Sequence, residues 1–419
     1  MTSEWKRYFV SDIGKVITGK TPKTACSEYY GGNIPFLTPS DDMSVKYVLS
    51  TTKTITEVGK NSVKNVVIPA NSICVSCIGS DLGKVVITTK ETVTNQQINS
   101  IIVNTKLFDI DFVYYAMVIL GKVLNYHSKT STAVPIVNKN TFSQYEILCP
   151  DLSEQRKISR LLSVIDNKIA LNTAINENLE QQAQAIFKSW FVDFEPFDEE
   201  TIYSPIGTLI PKSLKMVQIA DIPHDLETGK RPKGGAVSSG IPSVGAENVK
   251  KLGEFNFSSA KYIPYEFASK MKKGAIKGYE LLLYKDGGKP GTFIPHFSMF
   301  GEGFPYSEFF INEHIFMLDF YNRGFNEFMY FYLQTDYPYH WLANNGGKAA
   351  VPGINQQDVN AIWCYDPTHP KIQEFCKWVE PIFTTILTNC AQNMKLAQLR
   401  DTLIPKLVNG EIDVSEVKI

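Results

Sequence analysis

Two stretches of the chain are patterned unlike everything around them. From Ser153 to about Val192 there is neither glycine nor proline, and the apolar positions alternate by three and four. They are Ile158, Leu162, Ile165, Ile169, Leu179, Ala183, Ile186 and Trp190, with Asn172 and Asn176 in the same seam. This is coiled-coil spacing and predicts one long helix, capped at its start by Ser153-Glu-Gln-Arg156. At about 1.5 Å per residue it would reach roughly 60 Å. A second seam runs Phe375, Val379, Ile382, Ile386, Asn389, Asn393, Leu396, Arg400, Leu403 and Leu407, with Arg400 its one charged member. Pro381 predicts a kink or a late start, and Pro405 an irregular last turn.

The segments before these helices mix both periodicities. Val66–Ile68, Ile73–Val75 and Val85–Ile87 are short β-branched runs separated by Pro-Ala-Asn and Gly-Ser-Asp-Leu-Gly turns. Phe112 to Val123 reads as an amphipathic helix, with a counterpart at Phe325 to Leu333. The expected class is therefore α+β: two mixed α/β units alternating with two long helices.

The chain also repeats itself, which has to be settled before the fold is read. Ala133-Val134-Pro135 with Val137-Asn138 returns 217 positions later as Ala350-Val351-Pro352 with Ile354-Asn355. Asn172 answers to Asn389 and Asn176 to Asn393 at the same offset. Upstream, Thr18-Gly-Lys-Thr-Pro-Lys23 echoes Thr228-Gly-Lys-Arg-Pro-Lys233, and Asn95-Gln-Gln-Ile98 echoes Asn312-Glu-His-Ile315. Antiparallel pairing about the helix midpoints would gather Asn172, Asn176, Asn389 and Asn393 into one polar layer, although a parallel pair also matches Asn to Asn. Buried asparagine lowers stability but fixes register.

Composition narrows the class only a little. The 419 residues are 43% hydrophobic, enough for packed cores, and 42 Lys+Arg against 43 Asp+Glu leave a net charge of −1. There is no global field to attract nucleic acid, but residues 1–150 are in basic excess and 151–200 in acidic excess. No apolar run approaches a membrane span, the N-terminus has no secretory pattern, and 7 scattered cysteines suit reduced thiols, so the cytoplasm is expected.

Ile186-Phe-Lys-Ser-Trp-Phe-Val-Asp-Phe-Glu-Pro196 resembles the central conserved region of type I restriction-modification specificity (S) subunits. Leu399-Arg-Asp-Thr-Leu-Ile-Pro-Lys-Leu-Val-Asn-Gly-Glu-Ile412 is similar to their distal conserved region, and Trp5 through Gly14 with Thr18–Pro22 to the opening of a target recognition domain. The resemblance implies a first target recognition domain at 1–152, the central helix at 153–193, a linker at 194–213, a second recognition domain at 214–368, the distal helix at 369–410 and a tail at 411–419. It further implies that the helices pair as an antiparallel coiled coil with pseudo-twofold symmetry. The chain would then be a non-catalytic specificity subunit, each recognition domain reading one half of a bipartite, asymmetric site in double-stranded DNA. The helices would space the halves and dock two modification subunits that use S-adenosylmethionine, with restriction subunits joining the complex. No cofactor and no metal are expected in this chain, and no membrane.

DNA contacts are expected from polar and basic loop positions that recur in both halves. In the first these are Lys20, Thr21, Lys23, Ser40, Asp41, Ser80, Lys84, Lys129 and Thr132. In the second they are Lys230, Arg231, Lys233, Asn248, Lys285, Lys289, Asn344, Asn345 and Lys348. Lys and Arg mostly hold phosphates, whereas Asn, Ser, Asp and oriented Lys can read base edges. The alternatives are a P-loop nucleotide hydrolase and a coiled-coil scaffold without DNA binding. Gly14-Lys-Val-Ile-Thr-Gly-Lys-Thr21 fits the P-loop pattern literally, but Pro22 disfavours the helix that must follow. Cys74 and Cys77 lack a second pair for zinc, and a strand would turn them to opposite faces. The aromatics from Phe297 to Phe310 read as core, and the six histidines form no metal or catalytic spacing.

Overall fold

The computed structural model describes residues 4–130, 136–289, 291–347 and 351–417, without the side chains of Ser80 and of residues 127–130. The chain divides into two compact units: residues 1–168 with 396–419, and residues 169–395.

In the first unit, a five-stranded sheet runs in the order Gly14–Thr18, Ile98–Val103, Ile73–Ser76, Val85–Thr88, Tyr47–Val48. A three-stranded sheet has Tyr30–Leu37 between Lys53–Ile55 and Val93–Thr94. Alternation along Ile73–Ser76 sends Ile73 and Val75 into the core under the helix Ile110–Thr130, and Cys74 into a separate core on the other side. Cys77 joins the first of these, so the two thiols do part; burial pushes Cys77 up to about 11 and Cys74 up to about 12. Val66–Ile68 is not a strand. Lys64–Val66 is a 3₁₀ turn and Ile68 makes a single bridge to Thr92, because Pro69 cannot donate to a ladder.

The second unit repeats the strand order. Asp225–Thr228, Ile315–Asp319, Leu281–Tyr284 and Phe297–Met299 form a four-stranded sheet, and Ile241–Val244 lies between Lys261–Ile263 and Phe310–Ile311. Each unit also has a short antiparallel ladder, Lys6–Phe9 on Glu146–Cys149 and Met216–Gln218 on Trp363–Tyr365. Phe297, Phe300, Phe304, Phe309 and Phe310 are buried, as core aromatics should be.

The long helices are Leu152–Phe191 and Pro370–Val408. Asp151 rather than Ser153 caps the first: its Oδ1 accepts from Glu154 N at 2.9 Å, the residue three positions on. The second starts at Pro370, well before Pro381, and the helix continues through Pro381 and Pro405. Each proline deletes one helical donor, and buried Val379, Phe383, Ile404 and Leu407 anchor the turns on either side. Within the second unit Asn172 Nδ2 donates to Asn393 Oδ1 at 2.9 Å, and Asn389 Nδ2 donates to Asn176 Oδ1 at 2.8 Å. Within the first, Arg400 Nη1 meets Asp166 Oδ1 at 3.0 Å, so the charged seam residue has a partner.

Candidate nucleic-acid interface

The repeated Thr-Gly-Lys and Asn-x-x-Ile segments are the two sides of one close approach. Gly19 N donates to Ile98 O at 3.1 Å, and a Cβ on Gly19 would lie 2.2 Å from Asn95 O. Gly229 N donates to Asn312 O at 3.2 Å, and a Cβ there would lie 1.6 Å from Ile311 O. Only glycine lets the backbones meet at this distance. The facing loop is built alike in both units. Asn95 Oδ1 accepts from Gln97 N at 3.1 Å, and Asn312 Oδ1 accepts from His314 N at 2.8 Å. Both are Asx turns, in which the side chain takes the place of a backbone acceptor.

Immediately beyond these glycines stand exposed lysines, Lys20 and Lys23 in the first unit and Lys230 and Lys233 in the second. In the first unit Thr21 Oγ1 donates to Gln96 Oε1 at 2.7 Å. A cleft of about 540 Å³ opens beside this loop, lined among others by Ser40, Asp41, Lys53, Gly79, Asp81 and Gln97. Ser40 and the 3₁₀ turn Gly79–Asp81, which contains Ser80, thus come together around one concavity. Lys84 pairs with Asp81 at 2.8 Å.

Two candidates are turned inward. Asp41 is buried, accepting from Thr38 N at 2.8 Å and Thr52 N at 2.7 Å. Burial alone would raise its pKa, but the bonds from Thr52 and Thr38 outweigh it and hold the carboxyl below its ordinary value. Asn248 is buried and accepts from Gly245 N at 3.0 Å. Both serve their own loops, because a short polar side chain after a strand closes a turn as readily as it reads a base.

In the second unit a compact ionic group forms around the repeated loop. Arg231 Nε lies 2.9 Å from Glu313 Oε1, His314 Nε2 3.2 Å from the same oxygen, and His314 Nδ1 contacts Asp286. Lys285 Nζ donates to Glu313 O at 3.0 Å. Lys289 and Asn344 are exposed, and Asn345 is half-buried at the end of the helix Asp336–Gly346. Thr132 and Lys348 lie outside the described residues, as do Ala133, Val134, Pro135 and Ala350 of the repeated motif; Lys129 is in the last turn of the helix Ile110–Thr130, its side chain outside them too.

Gln96, Gln97, Lys53, Asp286, Glu313 and His314 were not singled out from the sequence. The echo of Asn95–Ile98 in Asn312–Ile315 was the available signal. The residues of the P-loop pattern form the strand Gly14–Thr18 and the loop after it, not a strand entering a helix. Among the described residues no three His, Cys, Asp or Glu are placed to hold a metal, and no helix is long and apolar enough to cross a membrane.

A family model described as the type I restriction modification DNA specificity domain matches residues 2–181. The HindI specificity subunit of Haemophilus influenzae is 34% identical over 484 residues, spanning 98% of this chain and 100% of that protein. The MjaIX specificity subunit of Methanocaldococcus jannaschii is 28% identical over 426 residues, spanning 99% and 95%. Among solved structures, the type I restriction-modification S subunit from M. genitalium aligns with a TM-score of 0.55 at 15% identity, over 97% of this chain and 96% of that one, a likeness of fold.

Proposed function

Because the chain belongs to the specificity subunits of type I restriction-modification systems, we propose that its two units each read one half of a bipartite, asymmetric site in double-stranded DNA. It is a DNA-recognition subunit and does no catalysis itself. The observation that carries the two-unit reading is the duplicated loop framework: an Asx-turn loop approached by Gly19 in one unit and Gly229 in the other, bearing different side chains. Identical side chains would read a palindrome, and different ones read an asymmetric site. Lys20, Lys23, Lys230 and Lys233 are suited to phosphates, and Thr21, Ser40, Arg231, Lys289 and Asn344 to base edges or the groove.

The long helices form an antiparallel coiled coil that relates the two recognition domains by pseudo-twofold symmetry and sets the half-site spacing. The asparagine pairs 172–393 and 176–389 support this, since residue numbers fall in one helix as they rise in the other. A stiff spacer makes binding bivalent only at the matching separation. Two modification subunits dock on these helices and hold S-adenosylmethionine, restriction subunits join them, and this chain needs no cofactor and no membrane. It works in the cytoplasm, where the DNA is.

The test is methylation by the complex of this chain with its modification subunits. Scrambling either half-site should abolish methylation, and undiminished methylation of scrambled DNA would overturn the reading. Inserting one base pair between the halves moves them by about 3.4 Å and roughly a tenth of a turn, which should also abolish it. Binding should weaken steeply as salt rises.

A further inference from the structure

The same two positions of the loop framework are bridged in both units, by different chemistry. Thr21 and Arg231 are each the second residue after the close-approach glycine, and Gln96 and Glu313 each follow the Asx-turn asparagine. In the first unit the bridge is neutral, Thr21 Oγ1 donating to Gln96 Oε1 at 2.7 Å. In the second it is ionic, Arg231 Nε to Glu313 Oε1 at 2.9 Å. We propose that this pair is a specificity-determining element of each unit, Gln96 reading adenine in one half-site and Arg231 reading guanine in the other. The inference rests on the functional reading above.

The argument is one of remaining hydrogen-bond capacity. Glu313 Oε1 lies 2.9 Å from Arg231 Nε and pairs that edge of the guanidinium, whose charge Glu247 also feels. The side chain is 41% exposed, and a guanidinium paired at Nε keeps four Nη hydrogens with which to donate as a two-pronged fork. That is the complement of guanine O6 and N7 in the major groove. In the first unit the threonine hydroxyl uses one lone pair of Gln96 Oε1, which leaves the second lone pair and both Nε2 hydrogens on an exposed side chain. One acceptor beside one donor matches adenine N6 and N7. The flanking Lys20, Lys23, Lys230 and Lys233 are exposed and suited to the phosphates that would hold each loop in the groove.

Glu313 also dictates how the pair must be tested. Its Oε2 is buried without a hydrogen-bond partner, so removing Arg231 alone leaves the carboxylate facing only His314 Nε2 at 3.2 Å. The informative variant exchanges the whole bridge, Arg231→Thr with Glu313→Gln, which places the first unit's pair on the second unit's backbone. The complex with modification subunits is used to select bound duplexes from a randomised pool, with wild type alongside. The exchange should move one guanine of one half-site toward adenine and leave the other half-site unchanged. The converse exchange, Thr21→Arg with Gln96→Glu, should do the reverse in the other half. Arg231→Lys keeps the charge and loses the fork, and should reduce discrimination at that guanine by about 5- to 150-fold even if the double variant does not fold. A wild type that selects a bipartite site while the exchange and Arg231→Lys both leave every position unchanged overturns this inference alone. A wild type that selects no sequence overturns the functional reading and the inference with it.

Discussion

The two units secure their segments of long helix by opposite means. In the first, the Tyr115 hydroxyl donates to Asp166, which also takes Arg400 Nη1. Lys46, 8% exposed at its side chain, reaches Asp111 and Ser163 at 3.0 Å and Tyr115 Oη at 3.1 Å. In the second, Phe328 stacks on Phe325 at 5.5 Å and meets Phe191 and Phe375 edge-on at 5.1 and 6.0 Å. Tyr115 and Phe328 hold corresponding places, three residues after Phe112 and Phe325 in the helix that covers each sheet. The difference teaches that the shared fold does not depend on shared side chains. Strand order and the glycine approach are properties of the backbone, and either a satisfied polar network or a dense aromatic cluster can fill the space they leave.

The largest effect expected is at Phe328. It is fully buried, so Phe328→Ala should lower stability by about 3–5 kcal/mol. Hydrogen exchange should show the loss in the second unit and spare the first; equal loss in both would break the distinction. Tyr115→Phe keeps the ring and deletes a bond to a charged acceptor, with an expected loss of about 1.5–3 kcal/mol in the first unit by urea denaturation. A loss as large as that of Phe328→Ala would mean that the polar network, too, is chiefly a matter of packing.

A pH-dependent effect sharpens the comparison at its exception. Glu327 is fully buried in the aromatic unit, and burial pushes its carboxyl up to about 8, against the opposing pull of Arg323. Folded protein therefore keeps a proton that unfolded chain releases above the ordinary carboxylate value. Stability should fall as pH rises from about 4.5 to about 8 and level off beyond. Glu327→Gln should remove that slope, raising stability at pH 8 relative to wild type by up to about 5 kcal/mol. Melting temperatures of both proteins at pH 5 and pH 8 measure it, and parallel curves would place the carboxyl's titration elsewhere.

Much of this architecture is legible in the sequence because it is periodic or repeated. The Ile73–Val75 and Val85–Ile87 runs are strands, and both seams are helices. What escapes is set by single contacts. The helix at Phe112–Val123 extends from Ile110 to Thr130, beyond the last residues with a clear apolar period. The cap falls on Asp151 because its carboxylate accepts from Glu154 N, and Ser153 already lies inside the helix. Asp41 and Asn248 have the composition of base readers and the geometry of turn closers, which differ only in which way the side chain faces. The Thr21–Gln96 bridge joins residues 75 apart, and no local pattern announces that two echoed segments touch.

Gly19 and Gly229 have an evolutionary consequence. A hydrogen atom is all that fits at each, so these two codons are closed to drift, while the neighbours that point outward are open to it. Variation in such a lineage should crowd within a residue or two of points that never change, and new specificities should arise by exchanging loop chemistry on a chassis that selection holds still.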